Sequence, residues 1–168
     1  MHQLRIMRAA IAATGFFAAT TTTTASADEV LKFRIVTHAT SVQFQEVGDF
    51  EGHAQGLARQ SGLAFLPDGS VATTYFTATN DFTKGTGTFI GYYNLTLKDG
   101  SMLFFKASGT AKVDGTTTIF PETTDVVVLR GTGRFEGAKG DGAMSGMRVT
   151  PLAVGADLYE DISINLKK

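Results

Sequence analysis

From Val30 onward the apolar side chains recur every second residue, in stretches rich in Thr, Val, Phe and Tyr. Nowhere do they recur at helical spacing for three turns. A period of two puts alternate side chains on opposite faces of an extended chain, so the pattern predicts strands. The expected strands are 31–44, 56–66, 70–80, 86–98, 101–113, 123–129, 143–150 and 156–166. Asp68-Gly69, Asp99-Gly100, Asp114-Gly115 and Asp141-Gly142 punctuate this pattern. Their residues tolerate positive φ and close tight hairpins. The prediction is an all-β domain of about eight antiparallel strands.

Strands joined in hairpin order, without a long crossover, favour an up-and-down β-barrel of calycin-like type over a sandwich, since closure removes exposed edges. Large and small residues alternate on one face of the fifth strand, at Leu103, Phe105, Ala107, Gly109, Ala111 and Val113. A tapering interior wants that alternation. Phe89, Gly91, Tyr93, Leu95 and Leu97 are assigned inward on the fourth strand, and Phe33, Ile35 and Ala39 on the first. Phe76, Ile90, Tyr92 and Phe104 are assigned outward. So much outward apolar surface predicts a homo-oligomer built through the barrel walls.

The first 27 residues are set apart from the fold. Arg5 and Arg8 precede an apolar stretch, and the segment closes on Ala25-Ser26-Ala27, the layout of a secretory signal peptide. A single barrel domain over 28–168 is expected, exported to the periplasm or beyond the cell. The chain has no cysteine, which excludes disulfides, thiolate nucleophiles and iron–sulfur clusters. Loss of the leader's two arginines leaves 13 basic against 16 acidic side chains, a field that favours neither nucleic acid nor anionic membrane. No apolar run approaches twenty residues, so no membrane insertion is expected.

The segment from Gly131 to Gly140, Gly-Thr-Gly-Arg-Phe-Glu-Gly-Ala-Lys-Gly, reads as a structural turn whose glycines allow positive φ while Phe135 fills the apolar space beneath. No helix pattern follows it, which argues against a phosphate loop. This segment resembles the glycine-rich turn G-[TSA]-G-x-F-x-G-A-x-G that enters a late strand in the superfamily of plant allene oxide cyclases and dirigent proteins. Val47-Gly48-Asp49 and Gly52-His53-Ala54-Gln55-Gly56 are more loosely similar to the entry of that superfamily's second strand. The run from Gly131 to Leu166, with Pro151 inside it, looks like its closing two strands. The resemblance implies an eight-stranded barrel, often dimeric or trimeric, around an elongated apolar cavity that needs no metal or organic cofactor. In the cyclases that cavity folds a fatty-acid epoxide for ring closure, and in dirigent proteins it orients phenoxy radicals. Where the cyclase pattern carries a first-strand glutamate this chain has Val36-Thr37-His38, and the cyclase pocket cysteine has no counterpart.

Glu160 stands out among the carboxylates because it shares the apolar register of Leu158, Ile162 and Ile164. An inward carboxylate is costly unless it is paired or used. Desolvation would raise its pKa and suit it to proton transfer, whereas pairing with Arg34 or Arg59, or solvation at the barrel mouth, would make it structural. Tyr93 and Asp49 complete the candidate catalytic set. Tyr93 would point a hydroxyl inward, and Asp49 would line the mouth or cap its own turn. Tyr75, Phe89, Phe105 and Phe33 are the candidate ligand-binding residues. His38 and His53 show no metal-ligand spacing and read as surface histidines. No G-x-S-x-G surrounds any serine, which disfavours a hydrolase. Three readings stay open. The barrel is a cofactor-free guide for a cyclisation or coupling, a lipocalin-like carrier of a small hydrophobic molecule, or a structural barrel packed solid.

Overall fold

The computed structural model describes residues 28–151 and 154–167, so the expected signal peptide lies outside the described residues. The strands are β1 (Glu29–Glu46), β2 (His53–Phe65), β3 (Val71–Thr83), β4 (Thr86–Thr96), β5 (Met102–Asp114), β6 (Thr117–Gly131), β7 (Lys139–Arg148) and β8 (Leu158–Lys167). A short 3-10 turn, Gly133–Phe135, lies between β6 and β7. Each strand pairs antiparallel with the next, and β8 pairs with β1, closing the barrel in plain chain order. The expected up-and-down barrel is thus the fold.

A closed sheet has one interior face, and the pleat decides which residues occupy it. On β8 the interior set is Leu158, Glu160, Ile162, Ile164 and Leu166. On β4 and β5 it is Phe89, Tyr93 and Leu95, then Leu103, Phe105, Ala107 and Ala111. Ile90 and Tyr92 face out, as their parity requires. Three sequence assignments change. Phe76 is buried inside the barrel and Tyr75 is exposed outside it, because the β3 interior parity is that of Ala72, Thr74, Phe76 and Ala78. Apolar residues at both 75 and 76 left that parity ambiguous, and stacking of Phe76 on Tyr93 settles it. Val113 is exposed at the end of β5, beside the turn at Gly85.

Turn chemistry follows the Asp-Gly rule at three of its four positions. Gly69, Gly100 and Gly115 all have positive φ, while Asp68 and Asp99 accept the backbone N–H two residues on. Asp141-Gly142 is instead inside β7, where a side chain at Gly142 would strike the backbone of Ser163. The missed hairpin is Lys84-Gly85, with φ of 50° and 82° joining β3 to β4.

The β2–β3, β4–β5 and β6–β7 connections gather at one end of the barrel, which the glycine-rich turn seals. Phe135 is only 1% exposed there, and the turn is tied to its neighbours by Thr132 N–H to Met102 O and Arg134 N–H to Ser101 Oγ. The opposite end carries the β1–β2, β3–β4, β5–β6 and β7–β8 connections. Truncating a buried phenyl group with little room to collapse costs about 3–5 kcal/mol. Phe135→Ala should therefore lose stability of about that size in chemical denaturation; a loss under about 1 kcal/mol would show that the turn is not a plug.

Candidate functional site

The open end leads into a cavity of about 70 Å³. Phe44, Phe82, Phe89 and Phe120 line its outer part, while Gln60, Phe76, Tyr93, Leu158 and Glu160 line its depth. Glu160 arrives there by parity. It pairs with Ile35 on β1 and with Gly146 on β7, and a Cβ at residue 146 would lie 2.9 Å from Glu160 Cγ, so the glycine makes room for the acid. Its sequence neighbour Asp161 faces outward and takes a bidentate bond from Arg34 at 2.6–2.7 Å. The outer acid is neutralised by that cation, whereas among the described residues no cation lies within ion-pair distance of the inner one, although Arg148 lines the same cavity.

Tyr93 is the partner Glu160 does have. Its hydroxyl donates to Glu160 Oε1 at 3.1 Å. The ring is held between Phe76 at 4.4 Å and Phe105 at 4.9 Å, and a Cβ at Gly91 would intrude on it. Stacking on both sides fixes the hydroxyl's direction. Glu160 Oε2 is fully buried and has no hydrogen-bond partner among the described residues. Burial pushes the Glu160 carboxyl up to about 8, with the Tyr93 hydrogen bond partly opposing. Burial also pushes the Tyr93 phenol well above its usual value, and the neighbouring carboxyl adds to that. Near neutral pH Glu160 is accordingly a neutral acid. Oε1 accepts from Tyr93, so the carboxyl proton belongs on Oε2, where it meets no acceptor.

Of the residues singled out in the sequence, Glu160, Tyr93 and Phe89 come together in this cavity. Phe33 and Phe105 are buried in the core, meeting edge to face at 6.0 Å, and Tyr75 is outside. Asp49 sits on the rim of the open end and does not line the cavity. Its Oδ1 accepts from Phe50 N–H and bonds His53 Nδ1 at 2.6 Å, while His53 Nε2 reaches Asp81 Oδ1 at 2.8 Å. His38, on the outer wall, bonds Asp157 at 2.7 Å. Both histidines thus have carboxylate partners that linear spacing did not reveal.

Phe44, Phe82, Phe120 and Gln60 were missed. Phe44 enters because the β1–β2 pairing shifts register between Ala39 and Ser41, so that odd-numbered residues face in before the bulge and Val42 and Phe44 after it. Phe120 enters at a second irregularity, between Phe120 and Thr124, where Pro121 removes a ladder donor. Gln60 is buried and accepts from Thr37 Oγ1 at 2.7 Å.

No protein-family model and no curated protein matches the chain in sequence. Among solved structures, a pterocarpan synthase dirigent protein matches at a TM-score of 0.51 and 12% identity, over 92% of this chain and all of that one. A pyocyanin demethylase matches at a TM-score of 0.43 and 13% identity, over 81% of this chain and 99% of that one. The fold is therefore a dirigent-like barrel.

The raised pKa has a stability consequence whose sign is fixed. An unfolded glutamate ionises near its ordinary value of 4.5 and the folded one near about 8. Between those values the unfolded state has lost a proton that the folded state keeps, so stability falls as pH rises across the window and levels off above it. Glu160→Gln removes this contribution. The variant should gain on wild type between about pH 5 and pH 8 by an amount on the order of a few kcal/mol, read by urea denaturation at both pH values. An unchanged difference between the two proteins at the two pH values would refute the buried neutral acid.

Proposed function

We propose that this dirigent-like barrel binds a small, largely apolar molecule through its open end, and that neutral Glu160 recognises an oxygen acceptor on it, such as a carbonyl or ether. The observation that carries this reading is the unpartnered Glu160 Oε2 at the base of an aromatic-walled cavity. A buried donor without an acceptor is costly to keep, and a ligand oxygen would satisfy it. Tyr93 is the positioning residue, since its bond to Oε1 leaves the proton on the other carboxyl oxygen, Oε2.

An acid held neutral in a dry site is also equipped for catalysis. It can donate its proton as negative charge develops on a ligand oxygen, while the aromatic walls hold one conformer for ring closure or coupling. This is the catalytic form of the proposal. Glu160 acts as general acid, Tyr93 positions it, and Phe44, Phe82, Phe89 and Phe120 supply shape. Asp49 takes no part, since it is bonded to His53 on the rim and does not line the cavity.

One dimension favours a second reading. A cavity of about 70 Å³ is far below the ~300–1,000 Å³ of ordinary ligand pockets. Only a ligand's polar end fits at depth unless the rim phenyl groups turn aside, and a barrel that keeps them in place is a packed structural one. Calorimetric titration with methyl naphthyl ketone and with naphthalene separates the two readings. The ketone should bind roughly tenfold more tightly, the worth of one hydrogen bond from a buried donor. Its advantage should vanish as pH rises through about 8 and Glu160 loses its proton, and it should vanish in Glu160→Met. Equal binding of the two probes would remove the role given to Glu160, and no binding of either would leave the packed barrel.

A further inference from the structure

The rim of the open end bears a charge cluster that the pocket chemistry does not use. His53, at the start of β2, bridges two carboxylates on different elements, Asp49 of the β1–β2 turn at 2.6 Å and Asp81 of β3 at 2.8 Å. Phe50 stacks on the imidazole at 4.6 Å, with the rings within 11° of parallel, and leaves the His53 side chain only 14% exposed. Gln55 donates to the other oxygen of Asp81 at 3.0 Å. Backbone bonds complete the turn: Val47 N–H to His53 O, His53 N–H to Phe50 O, and Lys84 N–H to Gly52 O. The remaining charged pair beside it is Glu51 with Lys84, at 3.5 Å and largely exposed.

The number of ring protons decides what this bridge can hold. An imidazolium donates from both nitrogens and satisfies both carboxylates. A neutral ring donates from one and turns a lone pair toward the other carboxylate, so one bond becomes a repulsion. The two carboxylates therefore favour the charged ring, which holds His53 above its usual value, and they are themselves held below theirs.

The same strand ends carry the mouth of the cavity on their inner side. Asp81 precedes Phe82, Ala54 pairs with Phe82, and Gly56 pairs with Phe44. The Phe44 ring lies where a Cβ at residue 56 would be, 6.4 Å from the ring of Phe82. A loosened outer bridge frees the backbone from which both mouth phenyl groups project.

We propose that His53 is a pH-sensitive clamp on the mouth of the barrel: bridging Asp49 and Asp81 as a cation it holds the β1–β2 turn against β3, and on losing its proton it releases that turn and loosens the Phe44–Phe82 mouth. The clamp rests on the pocket reading only for its purpose, as regulation of access to that site. Its existence is testable with no ligand present.

The test is a pH series on the full chain by NMR, reading the ring nitrogens of His53 and the hydrogen-exchange protection factors of the Val47, His53 and Lys84 amides. Amides in the centre of β4 serve as the internal reference. A folded-state pKa above the unfolded one means the bridge is intact below the ordinary histidine value and lost as pH rises through the raised one. Protection of the three rim amides should then fall about tenfold as the ring proton leaves, the scale of one lost charge-assisted hydrogen bond, while the β4 reference holds. The series is repeated in Glu160→Gln, which takes the titration of the pocket acid out of the window and should keep the step. Asp81→Asn, and separately Asp49→Asn, should shrink the step and lower the histidine's titration. Rim protection that does not change as His53 titrates would overturn the clamp, as would a step that survives both asparagine variants with β4 protected. A clamp that fails this test leaves the ketone titration untouched, and a failed ketone titration leaves the clamp standing.

Discussion

A sheet that closes on itself in simple hairpin order has a single inside, and the pleat permits only every second residue to enter it. That constraint carries the chemistry of this protein. Adjacent acids on β8 are split by it: Asp161 goes out to Arg34, and Glu160 goes in among Leu158, Ile162 and Ile164. The fold itself supplies the perturbation, since a glutamate kept from water by a closed wall is a weak acid wherever it sits. The opposite wall supplies the orientation, because Tyr93 is fixed by rings on both of its faces and occupies one carboxyl oxygen.

The open end therefore has two titrating devices with opposite logic. Inside, desolvation raises the pKa of a carboxyl and leaves one of its oxygens without a partner among the described residues. Outside, two carboxylates favour the charged form of an imidazole and link a turn to its neighbouring strand. Both are consequences of where parity puts side chains on the same few strand ends. Between them stand Phe44 and Phe82, whose backbone belongs to the outer bridge and whose rings belong to the inner cavity.

How much of this could be read from the sequence depends on how regular each strand is. β8 and β4 alternate without interruption, so Glu160, Tyr93 and Phe89 were legible as inward residues. The glycine-rich turn was legible too, because its spacing and Phe135 describe a plug without reference to the rest of the chain. β1 was legible only to its bulge. Past Ala39 the parity inverts, and nothing in Ser41-Val42-Gln43-Phe44 announces that Phe44 rather than Gln43 faces the cavity. On β3, aromatic residues at 75 and 76 support either parity, and only the stacking partner across the strand resolves them. The His53 bridge was illegible for a third reason: Asp81 lies 28 residues away in sequence and becomes a neighbour only through the β2–β3 pairing.

The central claim is that Glu160 is a neutral acid inside a folded barrel at neutral pH. An NMR titration of its side-chain carboxyl carbon, assigned by comparison with Glu160→Gln, tests it without any ligand or assay of activity. The account predicts a carboxyl carbon that stays in its protonated position through pH 7 and moves only toward about 8. A carboxyl that titrates near the ordinary value of 4.5, with the barrel folded, would contradict it.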